Sequence, residues 1–108
     1  MKRFALDQMT RGWFVGDFEP NCLRTKSCEV GVKHYAKGTV EQAHLHRVVA
    51  EVTLVVSGRA RVGDMELRAG QGLLVSPGEV AEFEALEDTV TVVVKLPSVP
   101  DDKYVVES

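Results

Sequence analysis

Cysteine is scarce in this chain, with only Cys22 and Cys28 among 108 residues. Two are too few for a disulfide scaffold, and five intervening residues do not give the C-x-x-C spacing of a zinc or redox motif. Both are expected to be reduced, with Cys28 on an inward strand face, where cysteine behaves as a small hydrophobe. Long apolar runs are missing too, and none reaches the length that spans a bilayer. Positive charge is not in excess: 13 Lys and Arg stand against 16 Asp and Glu, a net −3. That balance argues against a nucleic-acid-binding surface. Low-complexity linkers are absent, so one domain over residues 1–108 is expected. The opening MKRFALDQMTRGWF starts basic but is broken by Asp7, Gln8 and Arg11, unlike a signal peptide. A cytoplasmic location is the resulting expectation.

Helix-forming runs are short, whereas β-branched valine is abundant, and the chain reads as strands between turns. Trp13 to Phe18 is a short first strand, ended by the turn signal Glu19-Pro20-Asn21. Leu23 to Lys37 is the next, alternating clearly in its second half. Cys28, Val30, Val32, His34 and Ala36 share one face; Glu29, Gly31, Lys33, Tyr35 and Lys37 share the other. Apolarity then assigns the His34 face to the interior. An inward His34 has two readings: a core histidine hydrogen-bonded to its surroundings, or a cavity group acting in acid/base chemistry or beside a metal.

Val52 to Val56 is apolar on both faces, so something must cover the outside of the sheet there, either the N-terminal segment or a second subunit. Arg59 to Leu67 reads as a hairpin around Gly63-Asp64. The glycine-rich turn Arg68 to Gly72 precedes no helix, so turn chemistry explains it better than phosphate binding. Strands over Leu73 to Val75 and Thr89 to Leu96 follow, the second carrying Val90, Val92, Val94 and Leu96 on one face. Pro97 and Pro100 interrupt regular pairing in the tail 97–108, which is nonetheless apolar enough to pack on the body or on a neighbour.

The chemistry concentrates between Gly38 and Gly58, GTVEQAHLHRVVAEVTLVVSG. His44 and His46, two apart on a strand, project from one face. Imidazole and carboxylate together make a metal-ligand set. Glu51 is five residues beyond His46, an odd spacing that faces away on a straight strand. A bend between Arg47 and Ala50 must intervene if all three converge.

The pattern Gly38, five residues, His44-x-His46, four residues, Glu51, six residues, Gly58 resembles the first motif of the cupin family. GQGLLVSPGEVAEF resembles the second, with Gly70 and Gly78 as its glycines and Ser76 in place of the proline. Ala81 then stands where that family's last ligand histidine would be. The resemblance implies an all-β double-stranded β-helix, the cupin jelly-roll barrel, with its core over about 23–96. It implies His44, His46 and Glu51 as metal ligands; two imidazoles and one carboxylate suit one divalent transition metal (Fe, Mn, Ni or Zn), and an inward His34 is an acid/base or ligand-orienting candidate beside it.

Three functions are compatible with that set. One is a metal-dependent enzyme, an oxygenase or isomerase acting on a small molecule inside the barrel. The second is a non-catalytic metal- or ligand-binding module, favoured by Ala81. The third is a metal-free protein like the sugar-nucleotide ketoisomerases, in which a histidine pair does acid/base work. A homodimer, without nucleic-acid or membrane partners, is expected from the two-sided apolar strand.

Overall fold

The computed structural model describes residues 1–107, and strands dominate it. A 3-10 turn at Leu6–Gln8 leads into β1 (Trp13–Gly16) and β2 (Leu23–Arg24). Then come β3 (Glu29–Tyr35), β4 (Val40–Leu45), β5 (Ala50–Ser57), β6 (Arg59–Val62) and β7 (Met65–Arg68). The last four are β8 (Gly72–Val75), β9 (Ala81–Ala85), β10 (Thr89–Leu96) and β11 (Tyr104–Val105). They form two sheets, a six-stranded one in the order β2-β1-β3-β10-β5-β8 and a five-stranded one in the order β11-β4-β9-β6-β7. Consecutive strands cross repeatedly from one sheet to the other, and this winding builds a double-stranded β-helix. The expected hairpin is present as β6 and β7 around Gly63 and Asp64.

The glycine closing the first motif is set by backbone geometry. Gly58 has φ +89°, and a Cβ there would stand 2.2 Å from the Asp88 carbonyl oxygen. No L side chain fits that conformation and that space together.

The six-stranded sheet corrects the expectation for His34. The interior receives Glu29, Gly31, Lys33 and Tyr35, while His34 is exposed on the outer face beside Val30 and Val32. Cys28 is half-buried one residue before β3 rather than on a strand, and both cysteines are free. Alternation separates two faces of a strand but does not say which is inside. Here the apolar side is the outer one. Inside, Glu29 pairs laterally with Lys95, and Lys95 with Glu51, a polar row across three strands. Trp13 lies against Gly31, where an added Cβ would stand 2.6 Å from the indole. A side chain at position 31 would displace that ring.

Apolar packing inside is modest. Phe83, Ala60 and Ala85 form a small core, with Tyr35 and Val62 against it and the Tyr35 and Phe83 rings 4.5 Å apart. Outside, Val52, Leu54, Val56 and Leu74 keep 40%, 42%, 50% and 65% of their surface exposed. The N-terminal segment does not cover them.

The tail is tied to the ligand-bearing strand. β11 pairs with β4, Tyr104 opposite Leu45 and Val105 opposite His44. Arg47 stacks its guanidinium over the Tyr104 ring at 4.0 Å. Ser108, the last residue of the tail, lies outside the described residues.

Candidate metal centre

His44 is near the end of β4, His46 directly follows it, and Glu51 is the second residue of β5. The chain bends at Arg47 and Val48, as the odd spacing requires. The bend is held from the far end of the sequence. Asp102 is buried, and its carboxylate accepts the backbone N–H groups of Arg47 (3.0 Å), Val48 (2.9 Å) and Val49 (2.9 Å). Burial works against its ionisation, but these three donors outweigh it and hold Asp102 below the usual carboxylate range. On the other side, Gly78 N–H donates to the His46 carbonyl at 2.7 Å.

One donor atom from each of His44, His46 and Glu51 lies within 4.8 Å of the others. His44 Nδ1 is 2.9 Å from the Gln42 carbonyl; donating there leaves Nε2 with its lone pair free. The two imidazoles meet edge to face, centroids 5.3 Å apart. His46 is buried, with Nδ1 3.5 Å from Glu51 Oε2. Its Nε2 is buried without any hydrogen-bond partner among the described residues. A buried imidazole nitrogen left unpaired costs free energy unless something else takes it. A cation held between two nitrogens and a carboxylate would take it, so the donor set fits a divalent metal.

Burial first, then the positive charge of Lys95, pushes the His46 pKa down to about 4. His46 is therefore neutral at pH 7, the form that ligates a metal. The sign of the linkage follows. Between the ordinary value of 6.5 and about 4, the unfolded chain takes up a proton at His46 that the folded chain refuses. Stability of the metal-free protein is expected to fall as pH drops through that window, and chemical denaturation at stepped pH measures it. If His46→Leu shows the same decline, His46 is not its source.

Ala81 lies opposite His44 in the β4–β9 pairing, where the second motif places it, and lines the same cavity. It brings no donor. That cavity, of about 50 Å3, is walled by Val62, Leu73, Val75, Phe83 and Val93.

Four polar residues of the cavity, Tyr35, Glu41, Thr53 and Glu79, were missed in the sequence. Tyr35 donates to Glu41 Oε1 at 2.6 Å, and both line the cavity with the three candidate ligands. Desolvation, reinforced by Glu41, raises the Tyr35 pKa far above its ordinary value, so the phenol stays protonated. Glu41 is three residues before His44 and on a regular strand would face away. The β4–β9 register slips between them, Glu41 opposite Phe83 and His44 opposite Ala81. Three steps on β4 match two on β9, a bulge that returns Glu41 to the histidine face. No turn residue marks this bulge, so the sequence held no signal for it. His34 stands apart from this group, exposed on the other side of its sheet.

No family model and no curated protein matches the chain. Solved structures do. An uncharacterized protein with a double-stranded β-helix domain from Klebsiella pneumoniae superposes with TM-score 0.73 at 23% identity, covering 99% of this chain and 93% of its own. KdgF from Halomonas superposes with TM-score 0.67 at 22% identity, over 71% of this chain and 76% of that one. The DMSP lyase DddQ from Ruegeria pomeroyi gives 0.72 at 14%, over 95% and 55%. An RmlC-like cupin from Shewanella frigidimarina gives 0.64 at 21%, over 71% and 72%. Likeness at such low identity establishes architecture rather than activity: the chain has the cupin fold, a double-stranded β-helix.

Proposed function

We propose that the protein holds one divalent transition metal on His44, His46 and Glu51 and uses it to act on a small molecule in the adjoining cavity. The observation that carries this reading is the unpaired, buried Nε2 of His46 beside a second imidazole and a carboxylate. It favours a metal over a metal-free histidine pair. When bound, the metal would polarise an oxygen of the small molecule and stabilise charge developing there. Fe, Mn, Ni and Zn all suit two imidazoles and one carboxylate.

The chain supplies the remaining chemistry. Tyr35 occupies Oε1 of Glu41 and leaves Oε2 to accept a proton from the bound molecule. The apolar wall from Val62 to Phe83 keeps water from competing at that position. A Glu41 carboxylate held beside the candidate ligands favours turnover, an oxygenase, isomerase or lyase class of reaction, over passive binding. Elemental analysis of protein purified without a nickel column tests the proposal. About one metal per chain is expected, and protein that stays metal-free after incubation with each candidate ion would overturn it.

The second part of the proposal is a cytoplasmic homodimer. Free Cys22 and Cys28 suit a reducing compartment. Among the described residues no helix is long and apolar enough to cross a membrane. The exposed row Val52, Leu54, Val56 and Leu74 adjoins Val92 and Val94 on a face whose strand centres carry no charge, and a second copy of the same face is its simplest cover. Light scattering is expected to give twice the mass of a single chain. A monomer at micromolar concentration would remove the dimer from the proposal.

A further inference from the structure

The C-terminal tail runs along the whole stretch of chain that carries the candidate histidines. Tyr104 and Val105 of β11 stand opposite Leu45 and His44, and Val106 N–H donates to the Ala43 carbonyl at 2.9 Å. Just before them, Asp102 takes the backbone N–H groups of Arg47, Val48 and Val49. Residues 102–106 thus cover residues 43–49, which hold His44 and His46 and lead into Glu51. In the sheet β11 is an edge strand, and among the described residues it is the strand partner of β4 on that side.

The same segment walls the approach to the site. Val99, Pro100, Asp101 and Lys103 line a groove of about 1180 Å3 that reaches His44 and Glu51. Its near end is fixed. Buried Ser98 donates its hydroxyl to Glu29 Oε2 at 2.9 Å and accepts the Asp17 N–H at 2.8 Å. Past Ser98 the tail is held by Asp102, by a two-residue strand, and by the Tyr104 ring under the Arg47 guanidinium. Lys103, Tyr104 and Val105 are exposed. Asp101 has φ +72°, a left-handed conformation that aspartate tolerates better than most residues. A short, exposed edge strand opens at a lower free energy than the strands at a sheet centre.

We infer that residues 99–106 form a strap whose docking is linked to metal binding, an inference that rests on the metal-site reading. Docked, the strap closes one wall of the groove and holds the bend that brings Glu51 to His46. Undocked, it turns away at Asp101, opens the groove and frees the bend. Linkage is reciprocal: the factor by which metal steadies the strap equals the factor by which the docked strap raises metal affinity.

Backbone amide exchange followed by nuclear magnetic resonance reads both sides of this linkage. The N–H groups of Arg47, Val48 and Val49 report on Asp102, and that of Val106 reports on β11. Gly63 N–H, bonded to the Glu82 carbonyl at 3.0 Å beside the β6–β7 hairpin, serves as the reference. Saturating Zn(II) is expected to slow the four strap-linked amides by a common factor of about ten, and Gly63 by less. The double variant Tyr104→Pro/Val106→Pro denies β11 its pairing and keeps Asp102. Its Zn(II) affinity by isothermal titration is expected to be about tenfold weaker, with its fold intact by circular dichroism. Equal slowing at Gly63 and at the four amides would overturn the strap as a separate unit. Zn(II) bound by the parent with the four amides unaffected, or bound as tightly by the folded proline variant, would overturn the linkage and leave the metal reading standing. A parent protein that binds none of Fe, Mn, Ni or Zn would remove that reading and this inference with it.

Discussion

In His46→Leu protein, divalent metal binding is expected to weaken by more than the roughly 10–100-fold that losing an outer hydrogen-bond partner costs. The metal-free variant should be as stable as the parent or more so. Both outcomes follow from one atom. Nε2 of His46 is buried without a partner among the described residues, so without metal it is a desolvated polar group that leucine removes at similar volume. In the proposed metal site it would be one of three donors. A structural histidine would show the reverse, with stability falling and metal content unchanged. Isothermal titration with Zn(II), paired with urea denaturation of the metal-free protein, measures both signs.

Asp102→Ala is expected to reduce stability by about 3 kcal/mol or more. Three backbone donors at the bend lose an ionised acceptor at once, and the side chain is too deep for water to replace it readily. That is a large share of the stability of a small domain. Asp102→Asn should recover little, because Oδ1 and Oδ2 both accept and an amide NH2 would face a donor. The bend sets where Glu51 meets His46, so metal affinity should fall with stability, by about 10–100-fold. A urea midpoint equal to that of the parent would show that the clamp is not needed.

What the sequence disclosed, and what it withheld, divides along chain distance. The spacing of His44, His46 and Glu51 implied a bend, and the bend is where required, because these residues are local to one another. The motif resemblance set Ala81 at the position of a last ligand, and the structure brings it into the cavity opposite His44. The face of β3 was misread. Its valines made the His34 side look internal, whereas Glu29, Lys33 and Tyr35 point inward to build a polar cavity. Polarity in a functional interior defeats the rule that apolar means inside. Glu41 was hidden by a bulge that only pairing with β9 reveals. Asp102 was hidden by separation, reaching residues more than fifty positions back along the chain.

The outward-facing valines change what stability means for this molecule. A sheet that spends its interior on lysine, glutamate and tyrosine leaves much of its apolar surface exposed. If a second copy buries that surface, the folded state gains free energy from mass action, and the unfolding temperature rises with protein concentration. Dilution then acts as a denaturant. The site inside the barrel becomes linked, through one shared sheet, to how much of the protein is present.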